Sequence, residues 1–390
     1  MLAAKTARIQ GQIVAICSLG EYFMITNWYD TRVGCSIQCF LTRLQSTCSY
    51  SNYQSVAAIL NNFSYNFMGD KIIMNHNFTM NGKFLFPKVL ILMGTYNGEN
   101  YLRQQLDSIF NQTYSNIEVL VRDDGSSDET LLLLDQYAKQ YPIKIIKGDN
   151  KGAFENFCEL IKIAPPCDLY AYCDQDDVWT ENKIEKAVQA INNIEGGELP
   201  VLYIHSEFLT DKDLHPYKQT DVNSEGCANS LSLGIVRNIC QGSACVFNHY
   251  LMNKLKKIPK NITYMHDWWT YLVCLSYGGL VLTDSTPLIF YRQHDANVVG
   301  ASKSICNRTI SRLKAICLRS GHERSENCKK ILEVYGNSLM PTQRGVLLKV
   351  SQYRMSIWNT FSLLFDMSFY KGSTRWYKFT FAMSVITRTL

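Results

Sequence analysis

Several common patterns are missing from this 390-residue chain, and each absence excludes a class of protein. No stretch reaches the roughly 18 consecutive apolar residues that a membrane-spanning helix needs. The fourteen cysteines are scattered singly, without CxxC pairs or a cysteine–histidine zinc spacing, so buried free thiols in a reducing compartment are expected. The first predicted strand-to-helix turn lacks GxGxxG, which argues against a dinucleotide-binding dehydrogenase.

The composition is that of a folded protein with more than one structural unit. Hydrophobic residues make up 46% of the chain and aromatic residues 12%, which is ample for a packed core. Residues 1–85 show only weak periodicity, so we expect an irregular N-terminal segment there. The pattern changes sharply at Met80, and one hypothesis is that the segment upstream is an over-extended translation. A real but irregular segment is the alternative.

Positive charge is concentrated in the last part of the chain. Residues 301–390 contain fifteen lysines and arginines but only four acidic residues, whereas the rest of the chain is acidic overall. Basic residues such as Arg354 and Lys378 alternate with large apolar ones such as Trp358 and Phe361. This composition is typical of a helix lying on a membrane surface, although a helical tail packed on the body can share it. We expect a basic amphipathic helical tail with a membrane surface, and not nucleic acid, as its partner.

Between residues 86 and 300, apolar runs alternate with segments of helical periodicity. The run at 88–93 has the length and composition of a parallel strand that is buried on both faces, and residues 117–125 are predicted as a second strand that ends in acids and glycine. Between them, Leu102 and Leu106 recur at helical spacing. The same alternation continues through three further strands. It predicts an α/β fold with a mostly parallel sheet flanked by helices.

Three polar clusters follow the first, second and fourth predicted strands, at residues 95–98, 123–126 and 174–177. In an open parallel sheet, ligands bind outside the carboxyl ends of the strands. Asp174 and Asp176 offer the hard oxygen ligands that Mg²⁺ or Mn²⁺ prefers, and such a metal would carry a diphosphate. The alternative is that these acids only cap the next helix, but one carboxylate is enough for a cap.

A family resemblance is carried by an ordered set of segments within residues 86–300: TYNGENYLRQQLDSI, VRDDGSSDET, NKGAFENF, YCDQDDVW, QGSACVFN, HDWWTYLV and YRQHDANVVG. Together they resemble the inverting glycosyltransferases of family 2, and most of all a bacterial rhamnosyltransferase-like branch. The resemblance implies a GT-A (Rossmann-like) fold and a dTDP- or UDP-sugar donor. It also implies a glycan or lipid-linked acceptor in cell-surface polysaccharide synthesis, such as O-antigen or capsule. The enzyme would be cytoplasmic and peripheral at the inner face of the cell membrane.

The resemblance also implies roles for individual residues. Asp267 matches the general base that takes a proton from the acceptor hydroxyl. Asp176 and His294 would ligate the metal, and Arg292 would hold the leaving diphosphate. Asp174 would contact the ribose or the sugar. The nucleotide pocket would be formed by seven residues: Thr95, Tyr96, Asn97, Glu99, Asp124, Lys151 and Gly152.

The chain departs from the family pattern in one region and leaves two other functions open. Residues 291–300 stand where processive synthases have a QxxRW box, which favours the addition of one sugar per encounter. Asp295 and Ala296 depart from the HGNN of this branch, so their contacts are not carried over. A metal-dependent nucleotidyltransferase acting on sugar phosphates is one alternative, but the first predicted turn lacks the basic residue it would need. A non-catalytic, membrane-associated binding protein is the other.

Overall fold

The computed structural model of the chain describes residues 86–194, 198–223, 228–259, 262, 265–294, 323–371 and 375–390, together with short strands between residues 3 and 84. Contacts between residues divide the chain into two compact units, Met1–Phe86 and Pro87–Leu390. The expectations for residues 295–322, and for most of residues 1–85, fall outside the described residues.

The described strands of the first unit form three separate antiparallel sheets. Its strands are β1 (Ala3–Ile9), β2 (Gln12–Leu19), β3 (Tyr22–Thr26), β4 (Tyr65–Met68), β5 (Lys71–Met74), β6 (Thr79–Met80) and β7 (Lys83–Phe84). Strands β1, β2 and β3 pair in that order, β4 pairs with β5, and β6 pairs with β7. Every pair joins strands that are neighbours in the sequence.

Among its described residues, the second unit is built on one mixed sheet of nine strands. They are β8 (Val89–Thr95), β9 (Ile117–Asp123), β10 (Ile143–Lys147), β11 (Leu169–Cys173), β12 (Val178–Trp179), β13 (Val201–Thr210), β14 (Pro216–Gln219), β15 (Cys245–Asn248) and β16 (Leu280–Arg292). Their order across the sheet is β10-β9-β8-β11-β15-β13-β16-β12, and β14 pairs with β13.

The described helices of this unit connect the strands and then continue beyond the sheet. They are α1 (Leu102–Phe110), α2 (Thr130–Ala138), α3 (Ala153–Ile163), α4 (Lys183–Asn192), α5 (Leu231–Val236), α6 (His249–Leu255), α7 (His266–Ser276), α8 (Glu323–Tyr335), α9 (Pro341–Ser351), α10 (Ile357–Leu364) and α11 (Arg375–Ile386). Helices α1 to α4 each follow a strand, as the alternating pattern predicts.

The strand order explains where a ligand site can form. Strand β8 is the first of the unit but lies inside the sheet, with β9 and β10 on one side and β11 on the other. These four strands are parallel, so their carboxyl ends meet at one edge. The direction of winding reverses between β8 and β11, which makes this edge the switch point where open α/β sheets bind ligands. The three predicted polar clusters all lie here.

The predicted fold class is confirmed, since six of the nine strands run in the same direction and helices flank the sheet. The last strand of the sheet contains one irregularity. Strand β16 pairs with β13, and the register of this pairing shifts beside Pro287. Proline cannot donate a ladder hydrogen bond, and a local irregularity allows pairing to resume on its far side.

Helices α8 to α11 pack on the sheet and its helices through a shared core. Tyr335, Val350 and Phe381 are buried in the same hydrophobic cluster as Trp269 of α7. The Tyr335 hydroxyl also donates to the Lys254 carbonyl oxygen at 3.0 Å. Phe381 is therefore a core residue and not part of an exposed apolar face. Among the described residues, no helix has both the length and the apolar character needed to cross a bilayer.

Two glycines give a matched test of this packing. A Cβ on Gly279 would lie 2.6 Å from the Pro200 carbonyl oxygen, whereas a Cβ on Gly345 would meet no atom within 4 Å. We expect Gly279→Ala to lower the free energy of unfolding by about 2 kcal/mol, because backbone must move. Gly345→Ala, in the exposed interior of α9, should raise it by about 0.5–1 kcal/mol. Urea denaturation measures both changes. Equal effects would contradict the described packing of the turn between α7 and β16 against Pro200.

Candidate active site

The first and second polar clusters are joined by one buried carboxylate. Asp123, at the end of β9, accepts a hydrogen bond from the Thr95 hydroxyl at the end of β8, at 2.9 Å. It also accepts from the backbone N–H groups of Gly125 and Ser126, at 3.1 and 2.8 Å. Both loops therefore turn around the same side chain. Thr95, which the resemblance placed in the nucleotide pocket, lies at this edge but is itself only 1% exposed.

The third cluster is joined to the first by Gln175. Its side-chain oxygen accepts from the Tyr96 backbone N–H at 2.8 Å, and its nitrogen donates to the Tyr96 carbonyl at 2.9 Å. The chain passes close to this amide at Gly98, where a Cβ would lie 2.3 Å from the Gln175 oxygen. The Tyr96 ring is left exposed beside the junction. All three clusters thus form one continuous platform.

Two further predicted pocket residues support the loop that follows β8. Asn97 adopts a left-handed backbone conformation, with φ of 47°, and its side-chain oxygen accepts from the Ser127 backbone N–H at 2.9 Å. Glu99 accepts from the Glu129 backbone N–H at the start of α2, at 3.0 Å. These bonds fix the loop between β8 and α1 against the loop between β9 and α2. Each residue therefore uses at least one side-chain oxygen within the protein.

Asp124 anchors the segment that contains Lys151 and Gly152. One of its oxygens accepts from Arg122 at 2.8 Å, and the other accepts from the backbone N–H groups of Lys151 and Gly152, at 2.9 and 2.7 Å. The carboxylate is 2% exposed. A hydrogen bond from Asp124 to a nucleotide base would therefore have to share these oxygens. The geometry favours a role in shaping the pocket floor, with Lys151 and Gly152 exposed above it.

The acids of the third cluster have different surroundings. Burial, together with the negative charges of Asp176 and Asp267, raises the pKa of Asp174. Burial and the charges of Asp176 and Asp174 raise the pKa of Asp177 well above its usual range. One Asp177 oxygen accepts from the Arg292 backbone N–H at 3.0 Å, while the other has no hydrogen-bond partner among the described residues. The cluster is therefore short of positive charge.

Arg292 and His294 approach this cluster from the end of β16. The Nε2 atom of His294 lies 2.8 Å from Oδ2 of Asp176. The Arg292 guanidinium donates to the Asp176 carbonyl at 2.7 Å, to Gln104 at 2.6 Å and to the Lys212 carbonyl, and Arg292 is only 2% exposed. The geometry thus favours a positioning role for Arg292. The resemblance implied a different role, direct contact with the diphosphate.

Asp267 reaches the same region from the first turn of α7. Burial raises its pKa to about 6, against opposing hydrogen bonds from the Trp268 and Gly242 backbone and from the Asn238 side chain. His266, the residue before Asp267, lies against Tyr172 of β11, and Asp174 directly follows that strand, so both carboxyl groups lie at the same edge of the sheet. The charge of Asp267 also contributes to the raised pKa of Asp174. A carboxylate with a pKa just below neutrality is suited to accept a proton at neutral pH.

His266 fixes the position of this first turn. Its ring stacks on Phe157 of α3 with a centroid distance of 3.9 Å and lies edge-on to Tyr172 of β11 at 4.7 Å. It is 4% exposed, and burial lowers its pKa to about 3. His266 is therefore a neutral packing residue, and it holds the start of α7 beside β11.

Two charged residues at this edge were missed by the sequence analysis. Glu207, near the end of β13, is 2% exposed, and burial with the charges of Asp174 and Asp267 raises its pKa to about 8. When the Gln241 side-chain amide is oriented with its nitrogen towards Glu207, it donates to both carboxylate oxygens, at 3.1 and 3.3 Å. Lys183, in α4, is fully buried, and its ammonium lies 3.5 Å from the centroid of the Trp179 ring. A lone acid at the end of a core strand was the available signal for Glu207.

The donor set at Asp176 and His294 fits a divalent metal ion in part. A carboxylate and an imidazole whose ligating atoms are 2.8 Å apart can share one ion, and Mn²⁺ accepts both ligand types. The described residues hold no group of three or more side chains able to ligate a metal. An ion held here would therefore take its other ligands from a diphosphate and from water, as Mg²⁺ and Mn²⁺ do in phosphate-binding sites.

Comparison with known proteins identifies the family. The sequence pattern of Glycosyl transferase family 2 matches residues 90–247. The dTDP-rhamnosyl transferase RfbG of Shigella flexneri is 30% identical over 220 residues, which cover 54% of this chain and 75% of that protein. The chain belongs to glycosyltransferase family 2. It is an enzyme that transfers a sugar from a nucleotide-sugar donor, as the resemblance predicted at the level of activity class.

Two other similar proteins differ in how much of the chain they cover. An uncharacterized glycosyltransferase of Rickettsia typhi, RT0329, is 27% identical over 221 residues, covering 55% of this chain and 67% of its own. Among solved structures, residues 1–349 of S. aureus TarS in complex with UDP-GlcNAc have 13% sequence identity and a TM-score of 0.47, covering 76% of this chain and 90% of that chain.

Arg292 can be tested through stability and donor binding together. We expect Arg292→Lys to lower the free energy of unfolding by about 2 kcal/mol or more, because lysine cannot reproduce the three directions of the buried guanidinium bonds. Nucleotide-sugar binding, measured by calorimetry, should weaken as the Asp176 segment loses its anchor. Arg344→Lys, on the exposed side of α9, is the control and should change neither quantity. A variant with unchanged stability would refute the positioning role.

Proposed function

We propose that this protein is an inverting glycosyltransferase of cell-surface polysaccharide synthesis, such as O-antigen or capsule synthesis. It would move a sugar, with rhamnose as the first candidate, from a dTDP- or UDP-sugar to a glycan or lipid-linked acceptor. The observation that supports this proposal is the position of the first turn of α7, which carries Asp267, beside the end of β11, which precedes Asp174: the His266 ring lies edge-on to Tyr172 at a centroid distance of 4.7 Å. Rhamnose is supported by the relative whose name is dTDP-rhamnosyl transferase.

The donor would bind across the platform formed by the three polar clusters. The exposed Tyr96 ring and the exposed segment at Lys151 and Gly152 offer an aromatic face and a positive charge to the nucleotide. Asp124 and Asn97 would fix the shape of this pocket. In the same proposal, residues 86–300 form the catalytic unit, and the sugar lies between Asp174 and Asp267. Residues 301–390 form the basic helical tail, which would place the enzyme at the inner face of the membrane.

Asp176 and His294 would hold a divalent ion, Mg²⁺ or Mn²⁺, against the diphosphate of the donor. When bound, such an ion neutralises charge on the diphosphate as the sugar bond breaks. Asp177 and Arg292 would keep the Asp176 segment in place from below, through the hydrogen bonds described above. This arrangement assigns metal binding and segment positioning to different side chains.

Asp267 would act as the general base. Its carboxylate takes the proton of the acceptor hydroxyl as that oxygen attacks the anomeric carbon from the face opposite the leaving group. The bond to the diphosphate breaks in the same displacement, the nucleoside diphosphate leaves with the bonding electrons, and the anomeric configuration inverts. No covalent enzyme intermediate is needed.

The direct test is a donor panel. Purified full-length protein is incubated with dTDP-rhamnose, UDP-glucose, UDP-galactose and UDP-N-acetylglucosamine, with and without EDTA, and nucleoside diphosphate release is measured. We expect release from one or two of these donors, stimulated by a glycan or lipid-linked acceptor and lost in EDTA. Release of pyrophosphate from a nucleoside triphosphate, with none from the panel, would favour nucleotidyl transfer instead.

Asp267→Asn should bind the donor normally but lose about two to four orders of magnitude in the transfer rate, because an amide cannot accept the proton. In the unsubstituted enzyme, kcat/KM should fall as pH drops below about 6, since the base is active only when ionised. At pH 7.5 the variant should also be at least as stable as the unsubstituted enzyme. The folded-state pKa is raised, so the buried charge costs stability above pH 6, and the amide removes that cost.

Asp135→Asn, on the exposed face of α2, is the matched control for loss of one carboxylate. It should leave the rate, its pH dependence and stability unchanged. Substantial turnover by Asp267→Asn would remove Asp267 as the base. If Asp267→Asn is instead less stable, misfolding would explain its inactivity, and the assignment of Asp267 as the base would lose this support.

Asp176→Asn should abolish metal-dependent donor binding. In Mn²⁺, the donor Kd should rise about tenfold or more, towards the value measured in EDTA, because an amide oxygen is a weaker ligand than a carboxylate. His294→Ala should cause a smaller increase, and Asp135→Asn none. Isothermal titration with Mn²⁺ and donor separates the two steps. Unchanged donor affinity in Asp176→Asn would refute its assignment as a metal ligand.

A further inference from the structure

The C-terminal helices leave a group of large apolar side chains exposed on one surface. Their exposure is high, from 44% for Phe361 to 77% for Trp358. We define the tail surface as six residues on and beside α10: Met355, Ile357, Trp358, Phe361, Phe365 and Met367. In the α/β part that the structure describes, exposed apolar side chains such as Leu132, Ile163 and Tyr217 lie on separate elements instead.

Helical geometry places the tail surface on one side of α10. Ile357, Phe361 and Phe365 follow one another at intervals of four residues, so they share a face. The Phe361 and Phe365 rings stack with their centroids 6.2 Å apart. Leu363, on the opposite side, is fully buried in the common core. Core packing therefore determines which face of the helix points outwards, and the exposed face is the apolar one.

Basic side chains border this surface. Arg354 and Lys371 are exposed and flank it in the sequence, and the Lys371 backbone N–H donates to the Met367 carbonyl at 3.1 Å. Arg388, also exposed, donates to the Arg354 carbonyl from the end of α11. Residues 340–390 contain seven lysines and arginines but one acid, Asp366, which pairs with Lys349 at 2.5 Å.

We propose that the tail surface docks on an anionic lipid bilayer. Trp358, Phe361 and Phe365 would enter the interface between headgroups and acyl chains, while Arg354 and Lys371 contact lipid phosphates. Aromatic and methionine side chains supply the apolar area, and the basic border supplies selectivity for negative charge. This mode of attachment needs no spanning helix.

A second copy of the chain fits the same surface less well. A symmetric dimer through the tail surface would bring two basic borders together, and like charges across an interface oppose association. A bilayer with anionic headgroups instead complements both the apolar face and its border. Docking of this kind does not depend on the identity of the sugar or on Asp267. Vesicle binding therefore tests the docking of the tail surface, and donor binding separately tests the proposed sugar transfer.

Vesicle flotation with the full-length protein tests this assignment. We expect binding to vesicles of phosphatidylcholine mixed with phosphatidylglycerol, little binding to phosphatidylcholine alone, and weaker binding at high salt. The triple variant Trp358→Ser/Phe361→Ser/Phe365→Ser should reduce the vesicle partition coefficient about tenfold or more. Point variants are preferred to truncation, because removing α9 to α11 would take away core residues such as Leu347 and Val385 and would uncover residues of the same cluster, such as Trp269 and Tyr335.

The matched control removes three exposed apolar side chains elsewhere, as Leu132→Ser/Ile163→Ser/Tyr217→Ser, and should bind vesicles like the unsubstituted protein. The charge variant Arg354→Glu/Lys371→Glu should lose the preference for anionic vesicles. Donor binding should persist in every variant, which shows that the catalytic unit is folded.

Three results would overturn the inference. The first is failure of the unsubstituted protein to bind anionic vesicles while it still binds donor. The second is equal vesicle binding by the tail variant and the control variant. The third is a concentration-dependent dimer, seen by light scattering, that the tail variant disrupts while vesicles remain unbound, which would make a second copy the occupant.

Discussion

The site depends on the crowding of carboxyl groups at one edge of the sheet. Asp174, Asp176, Asp177, Glu207 and Asp267 come from two strand ends and one helix start, and Asp177 and Glu207 are buried. In such surroundings each negative charge raises the pKa of its neighbours, as it does for Asp174 and Glu207. The nearby cations do not balance this charge. Lys183 faces an aromatic ring, where burial lowers its pKa to about 8, and the Arg292 guanidinium bonds mainly to carbonyl and amide oxygens. A cluster with this deficit of positive charge favours cationic ligands and protonated acids.

The polar residues at this edge divide into those that hold the scaffold and those that remain able to react. Asp123, Gln175 and Asp124 direct their side chains into the protein, where each joins two loops by hydrogen bonds of 2.7–3.1 Å. A polar group that is fully paired in this way is costly to disturb, so it makes the loops rigid and contributes little to chemistry. The Tyr96 ring, the Asp176–His294 pair and Asp267 are less committed. The groups available for binding and chemistry are therefore few, and the fully paired residues fix their positions.

The fold and the location of the site could be predicted because they follow from periodicity and from parallel strand ends. Strand β8 shows a continuous apolar run, and its neighbours repeat it, so the sheet and its ligand-binding edge could be predicted from the sequence. Which strands and side chains lie next to one another could not be predicted. Glu207 lies in a strand with the sequence of plain core, and the strand order decides where its end lies: with the antiparallel β15 between them, β11 and β13 run in the same direction and end at the same edge. Likewise, Phe381 and Trp358 occur in similar sequence surroundings, yet packing buries the first and exposes the second. Long-range pairing decides such cases, and periodicity does not record it.

The placement of Asp267 shows which physical effect controls the pKa of this proposed base. It lies in the first turn of α7, where the helix dipole favours a negative charge by about 0.3–1 kcal/mol and would lower its pKa. Backbone hydrogen bonds from Trp268 and Gly242 act in the same direction. The pKa is nevertheless raised to about 6, a net shift worth roughly 3 kcal/mol, so burial must outweigh both effects together. Asp174, at a strand end beside Asp176, shows the effect of an added like charge, since its pKa is raised to about 7. Placement of the proposed base on a separate helix keeps more of it ionised at neutral pH and leaves it at the edge where the sugar is proposed to bind.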